Sequence, residues 1–234
     1  MGSGKVGPWA RNDGSAIMGE TPRRIHLVRH AESMWNSVRR VQGNSCCAGL
    51  SPRGIEQARM LGRRLGSMKF DRVFCSDIER AVRTARLALG EDCPIEFSHE
   101  LREIAFGTWE GKLVSELEEE CPGALDRWFR EPSSVKIEGA EPFMEFHARV
   151  AREMDRIIGS TSGDLLIISH GGVICAWLTS LLGMHPDRIW SFSLPNTSVT
   201  TIMLEFRPRM RLFGDASHLD AATLGFDGMP SGAK

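Results

Sequence analysis

Apolar positions in this chain follow two spacings. Short runs of consecutive apolar residues predict buried strands, and stretches repeating every three or four residues predict amphipathic helices. Ile25, Leu27 and Val28 form the first run, which starts at Arg23 and ends abruptly at Arg29-His30. Phe70 to Cys75 predicts a second strand, Pro94 to Phe97 a third, and Asp164 to Ser169, ending in LLIIS, a fourth. Ser51-Pro52 marks a helix start, with serine as N-cap and proline in the first turn. Ile55, Ala58, Leu61 and Leu65 carry that helix to about Gly66. Ser76 or Asp77 is expected to cap the next, whose apolar face is Ala81, Val82, Ala85, Leu87 and Ala88 and which ends near Gly90. Pro142 opens a long helix through Phe146, Val150, Met154 and Ile157-Ile158, and Gly172 to Leu182 forms another. Ser198–Leu204 and Arg209–Phe213 read as an edge hairpin. Residues 31–50 lack periodicity and read as a long functional loop. Residues 99–142 read as an insert over the sheet edge and the active site, with helical pieces at Leu113–Glu120 and Ala124–Arg130.

Strands alternating with helices predict an α/β fold: a three-layer sandwich with a mostly parallel central sheet and helices on both faces. One domain is expected over residues 23–220, after a disordered tail at 1–22 and before a loose tail at 221–234. The chain has 234 residues, 41% hydrophobic and 25% charged, which suits one soluble domain and excludes a fibrous chain. Its 29 basic and 30 acidic residues nearly cancel, so nothing marks it for nucleic acid or an anionic membrane. The longest apolar stretch, Val173 to Met184, is too short to cross a bilayer. No apolar signal segment is visible in the first twenty residues, and the six cysteines lack CxxC spacing. A cytoplasmic protein with reduced thiols is the expectation.

Polar residues cluster where strands end. Arg29-His30 follows the first strand, and His170-Gly171-Gly172 follows the LLIIS strand. Arg80 lies in the first turn of a helix that follows another strand, and Glu103 in a turn after the third. Ligands of open α/β sheets bind at such carboxyl ends. Two arginines can fork onto phosphate oxygens, and the glycines after His170 let the backbone approach a ligand closely. A neutral imidazole is a nucleophile toward phosphorus, and a carboxylic acid can protonate a leaving alkoxide and then activate water. With one protonated histidine, the arginines would place about three positive charges around a phosphate dianion without a metal.

Together these segments resemble the histidine phosphatase superfamily, in its phosphoglycerate-mutase-like branch. Its Arg-His-Gly signature reads Arg29-His30-Ala31, and its Glu-Thr-x-x-Asn is similar to Glu32-Ser33-Met34-Trp35-Asn36. Its Gly-Arg-x-Gln-Gly is matched by Arg40-Val41-Gln42-Gly43, and its Ser-Asp-Leu-x-Arg-Ala-x-x-Thr-Ala from Ser76 to Ala85. Its Leu-x-Glu-x-x-Phe-Gly-x-Trp-Glu-Gly runs from Leu101 to Gly111, and its Ser-His-Gly-Gly is Ser169-His170-Gly171-Gly172. Asn196-Thr197-Ser198 and His218-Leu219 fit the same pattern. The resemblance implies His30 as the phosphorylated nucleophile, a phosphate clamp of Arg29, Arg80 and His170, and Glu103 as acid and then base. It also implies contacts from Asn36 and from a backbone N–H near Gly171, and no metal or organic cofactor. Ala31 in place of glycine means that the backbone after His30 takes no glycine-only conformation.

The acid turn reads Arg102-Glu103-Ile104-Ala105-Phe106-Gly107, and about forty residues separate Glu103 from Pro142. That is short beside the larger insert implied for a mutase, which must exclude water from a bisphosphorylated intermediate. A metal-independent phosphatase for a small phosphorylated metabolite, acting as monomer or homodimer, is therefore expected. A phosphoglycerate mutase, a protein phosphatase and a catalytically silent phospho-ligand binder are the alternatives. His26 and His30, about 13 Å apart along a strand, cannot share a metal, so His26 reads as a packed or edge histidine. Trp109, Trp128, Phe129 and Phe143 suit either a lid over the leaving group or plain core. Cys46-Cys47 falls in the rim loop, Glu116–Glu120 on a solvated face, and Arg207, Arg209 and Arg211 guard the hairpin edge. Ser198–Leu204 is a candidate edge for pairing with a second copy.

Overall fold

A computed structural model describes residues 22–224, so the proposed tail at 1–22 lies outside the described residues except for Pro22, as does 225–234. Along the chain run β1 (Arg23–Arg29), α1 (Met34–Ser37), α2 (Pro52–Leu65), β2 (Arg72–Ser76), α3 (Glu79–Leu89) and β3 (Glu96–Ser98). There follow α4 (Val114–Glu120), α5 (Ala124–Arg130), α6 (Phe143–Gly159), β4 (Leu165–Ser169), α7 (Gly171–Leu181), β5 (Val199–Leu204) and β6 (Arg209–Asp215). The six strands form one sheet in the order β3-β2-β4-β1-β5-β6. The first four of these are parallel to one another, and β5 and β6 run antiparallel to their neighbours.

Strand alternation sorts the apolar side chains onto two faces. Ile25 and Leu27 of β1, Phe74 of β2, and Leu165 and Ile167 of β4 pack beneath α6 and α7. Val28, Val73, Cys75, Leu166 and Ile168 pack against Leu61 and Leu65 of α2 and Ala81 and Ala85 of α3. Strand β4 is buried along its whole length, which is why it reads as an unbroken apolar run. Helices α2 and α3 approach closely at Gly62, where an added Cβ would meet the Ala88 carbonyl at 2.7 Å.

Ser51 Oγ accepts from the Gly54 N–H at 2.9 Å, as a serine N-cap should. The expected cap of α3 differs. The residue before that helix is Ile78, which makes no side-chain cap, because Ser76 and Asp77 are occupied elsewhere. Asp77 takes a two-pronged ion pair from Arg102 at 2.6 and 2.8 Å, and Ser76 turns toward the site described below. The 31–50 loop contains the one-turn helix α1, closed by Ser33 and Asn36.

One further expectation is corrected. Strand β5 is not an edge: β1 and β6 occupy its two sides, so it has no free side for a second copy. The edge is β6, where Arg209 and Arg211 are exposed. The 99–142 segment, expected over the sheet edge and the active site, contributes Phe106, Trp109, Trp128 and Phe129 to the lining of the cleft described below. Its Leu101, Ile104, Trp109, Leu117, Leu125 and Trp128 also join the buried cluster that holds the apolar residues of α6 and α7, which removes six large apolar groups from water. Of the tail expected over 221–234 only residues 221–224 are described, and there Gln57 Nε2 donates to the Thr223 carbonyl at 2.7 Å.

Candidate active site

Register builds the centre. Arg29 of β1 stands beside Ser169 of β4, so the next residues, His30 and His170, emerge from adjacent parallel strands. The His30 N–H donates to the Ser169 carbonyl at 2.8 Å, and the two imidazoles meet edge-on with centroids 5.1 Å apart. They touch across neighbouring strand ends rather than facing each other over a wide crevice. Arg29, His30, Arg80 and His170 are all buried.

Hydrogen bonds assign the tautomer of His30. Its Nδ1 lies 2.8 Å from the Ala31 carbonyl, which can only accept, so Nδ1 carries the proton. Nε2 is left with its lone pair and accepts from Arg80 Nε at 3.2 Å. The backbone around it is pinned: the Ala31 N–H donates to Thr84 Oγ1 at 2.9 Å, and Asn196 Nδ2 to the His30 carbonyl at 2.9 Å. Ala31 is not among the described residues with positive φ, in keeping with its side chain. His170 Nε2 pairs with Ser76 Oγ at 2.8 Å, and its Nδ1 is buried with no hydrogen-bond partner.

Burial, followed by the charges of Arg80 and Arg29, holds the His30 imidazole well below the ordinary histidine range. The same burial lowers His170, with Arg80 and His30 adding to it. Both imidazoles therefore stand neutral beside the two arginines, and the protonated histidine expected around a phosphate dianion would need the dianion's own charge to raise one of them. Glu103 shifts the other way. Burial raises its carboxyl, against the opposing pull of the Gly172 and Ile104 N–H groups and the two arginines. Those N–H groups hold it at 2.9 and 3.1 Å. Gly172 is the residue that admits it: a Cβ there would sit 2.3 Å from Glu103 Oε1.

Arg80 also fastens the rim. Its terminal nitrogens donate to the carbonyls of Ser45 at 3.0 Å and Gly43 at 2.7 Å. From the opposite side Glu110 Oε1 accepts from the N–H groups of Asn44 and Phe106, both at 2.9 Å. Above the imidazoles opens a cleft of about 910 Å³, mouth included, into which Arg29, His30, Arg80, Glu103, Gly171 and Gly172 all face. Its outer wall is aromatic: Phe106 stacks on Trp109 with centroids 6.4 Å apart, and Trp128 meets Phe106 edge-on at 5.1 Å. Phe129 and Trp190 continue that wall, with centroids 5.6 Å apart.

A family model described as histidine phosphatase superfamily (branch 1) matches residues 25–212. The chain belongs to that superfamily. Phosphoserine phosphatase 1 of Hydrogenobacter thermophilus is 34% identical over 187 residues, covering 79% of this chain and 88% of its own. A protein named probable phosphoglycerate mutase GpmB, from Salmonella choleraesuis, is 30% identical over 209 residues, covering 86% of this chain and 97% of its own. The crystal structure of the alpha-ribazole phosphatase from Shigella flexneri superposes with a TM-score of 0.75 at 31% identity, covering 82% of this chain and 96% of that one. Phosphatase-named relatives of this kind support a phosphoric monoester hydrolase acting on small phosphate esters.

For this histidine phosphatase, the structure gathers His30, Arg29, Arg80, Glu103, Gly171 and Asn36 around one cleft, with His170 buried against the His30 ring and not itself lining the cleft. Asn36 serves its own helix first, its Oδ1 accepting from the Ser33 N–H at 3.2 Å. Trp109, Trp128 and Phe129 both line the cleft and pack with the core, whereas Phe143 lies outside the cleft and packs edge-on against Trp128 at 5.8 Å. His26 is packed against Phe70 and bonded to Thr201 Oγ1 at 3.0 Å. Cys46 and Cys47 are exposed free thiols beside the rim. Sequence reasoning missed Ser76, Thr84, Glu110 and Asn196 as positioning residues. Ser76 and Thr84 lay within the segment already matched around Arg80, but a serine or threonine shows its partner only once the strands are assembled. Among the described residues no group of three or more His, Cys, Asp or Glu is placed to hold a metal ion, and no helix is long and apolar enough to cross a membrane.

Proposed function

We propose that this chain hydrolyses phosphate monoesters of small metabolites through a covalent phosphohistidine on His30, without a metal ion. The observation that carries the reading is the His30 tautomer, whose Nε2 lone pair points into a pocket holding two arginines and a raised carboxyl. In the first step Nε2 attacks phosphorus in line, the bond to the leaving oxygen breaks, and the Glu103 proton passes to that oxygen. Arg80 Nε then transfers its hydrogen bond from the imidazole to a phosphoryl oxygen, and Arg29 and the unpaired His170 Nδ1 take others. In the second step the Glu103 carboxylate takes a proton from water, the water oxygen bonds to phosphorus, and the N–P bond breaks to restore His30.

The aromatic outer wall favours a hydrolase over a mutase. A glycerate is small and wholly polar, and it leaves Phe106, Trp109, Trp128 and Trp190 with nothing to cover. A reading as a silent binder loses support from the intact His30 and Glu103.

The test is turnover in EDTA of an aryl phosphate and a panel of small phosphomonoesters, run beside His30→Ala. Base-quenched enzyme is examined by mass spectrometry for a phosphoryl group on the His30 peptide. Turnover and adduct, both absent from the variant, are expected. Dependence on added metal, or an adduct elsewhere, overturns the mechanism; isomerisation of 3-phosphoglycerate in its place selects the mutase.

A further inference from the structure

The cleft has a polar floor around His30 and an apolar outer wall, and its remaining side is basic. Arg39, Arg40, Val41 and Gln42 line that side. The two arginines differ in what they hold. Arg40 donates to the Gly111 carbonyl and lies 3.9 Å from Glu116, so its charge is already matched. The Arg39 guanidinium donates to no acceptor and pairs with no carboxylate among the described residues. Of the carboxylates among the described residues, only Glu103 on the floor lines the same cleft.

The backbone of Arg39 is unusual as well. Its φ of 55° lies in the left-handed region that favours glycine, and Thr197 is the only other non-glycine described there. Two main-chain hydrogen bonds pin it: its N–H donates to the Asn36 carbonyl at 3.1 Å, and its carbonyl accepts from Val114 at 3.0 Å. A charged side chain is thus carried on a strained, fixed backbone beside an apolar cleft, where such strain marks functional positions.

We propose that Arg39 is a specificity-determining residue that binds a second anionic group on the leaving group. The substrate class is then a phosphomonoester whose leaving group joins a planar or apolar body to a carboxylate or similar anion. The body lies on Phe106, Trp109 and Trp128, and the anion meets the Arg39 fork. This assignment rests on the hydrolase reading above for its chemistry, but not for its ligand preference.

The test uses two isosteric esters, 4-(carboxymethyl)phenyl phosphate and 4-(carbamoylmethyl)phenyl phosphate. Wild type is expected to prefer the acid in kcat/KM by about fivefold at low salt, the scale of a partly exposed charge pair. Arg39→Gly, which also relieves the backbone, brings that ratio to about one, and Arg39→Lys restores part of it. The same preference is read as a Kd ratio by calorimetry on His30→Ala, with and without Arg39→Gly. A ratio near one in the Arg39-containing proteins, or one unchanged by Arg39→Gly, overturns the assignment. Absence of wild-type turnover with the Kd preference intact overturns the hydrolase reading and leaves Arg39 standing.

Discussion

Replacing Gly172 by alanine tests how the acid is positioned. The added methyl would stand 2.3 Å from Glu103 Oε1 and 3.0 Å from its Cδ, against an ordinary contact of about 3.4 Å or more. The helix that Gly172 belongs to is wholly buried there, so the carboxylate must give way by about 1 Å. It then loses the 2.9 Å hydrogen bond from the Gly172 N–H and its line to the leaving oxygen. A misplacement of this size costs about a hundredfold in rate. The fold should survive, because alanine gains about 1 kcal/mol in helix propensity, which offsets much of the loss of one hydrogen bond. The assay is kcat/KM, which covers the steps up to phosphoryl transfer to His30 and leaves out the shared hydrolysis step, on an alkyl phosphate beside 4-nitrophenyl phosphate, with the melting temperature measured in parallel. Nitrophenolate leaves without a proton, so only the alkyl ester should lose the hundredfold. Equal loss on both esters, or less than threefold on the alkyl ester, refutes the argument that Gly172 places Glu103 as the acid.

Ser76→Ala removes the hydroxyl bonded to His170 Nε2. It should lower kcat about tenfold while leaving KM within threefold, since an unpaired buried nitrogen costs about 1–3 kcal/mol and reorients the ring. Unchanged pre-steady-state kinetics would count against that role. Glu110→Ala frees the N–H groups of Asn44 and Phe106 and loosens both rim and acid turn, so KM should rise about tenfold with more rapid amide exchange at Asn44. Stability should fall with acid: His26 is lowered from 6.5 to about 4 by burial, so the unfolded chain binds protons that the fold refuses. Such a group contributes stability above pH 6.5 that is lost as pH falls through about 4, and His218 behaves alike. Urea midpoints between pH 7 and 4 measure the slope, which His26→Leu should flatten. Activity on alkyl esters should decline on the alkaline side as Glu103, raised by burial, loses its proton, and a rate that rises there would contradict its role as acid.

Much of the molecule was legible along the chain because its causes are local. Serine before proline caps α2 whatever packs on it, and the unbroken LLIIS run is apolar because both faces of β4 are covered. The polar residues at strand ends were legible for the same reason: an apolar run ending in Arg-His or His-Gly-Gly is a pattern in adjacent residues. The strand order, the internal place of β5 and the inward turn of the 99–142 segment were not, since each depends on which surface a later segment covers.

The sequence by itself determined the alternation of elements, the caps, and which residue types stand at the strand ends. Only the tertiary structure decided their chemistry. Ser76 and His170 lie 94 positions apart, and Glu103 and the Gly172 N–H 69 apart. The proton of His30, the neutrality of both imidazoles and the raised carboxyl of Glu103 arise from such contacts and from burial. Desolvation and hydrogen-bond geometry are properties of the space around a group, and a linear order of residues does not contain that space.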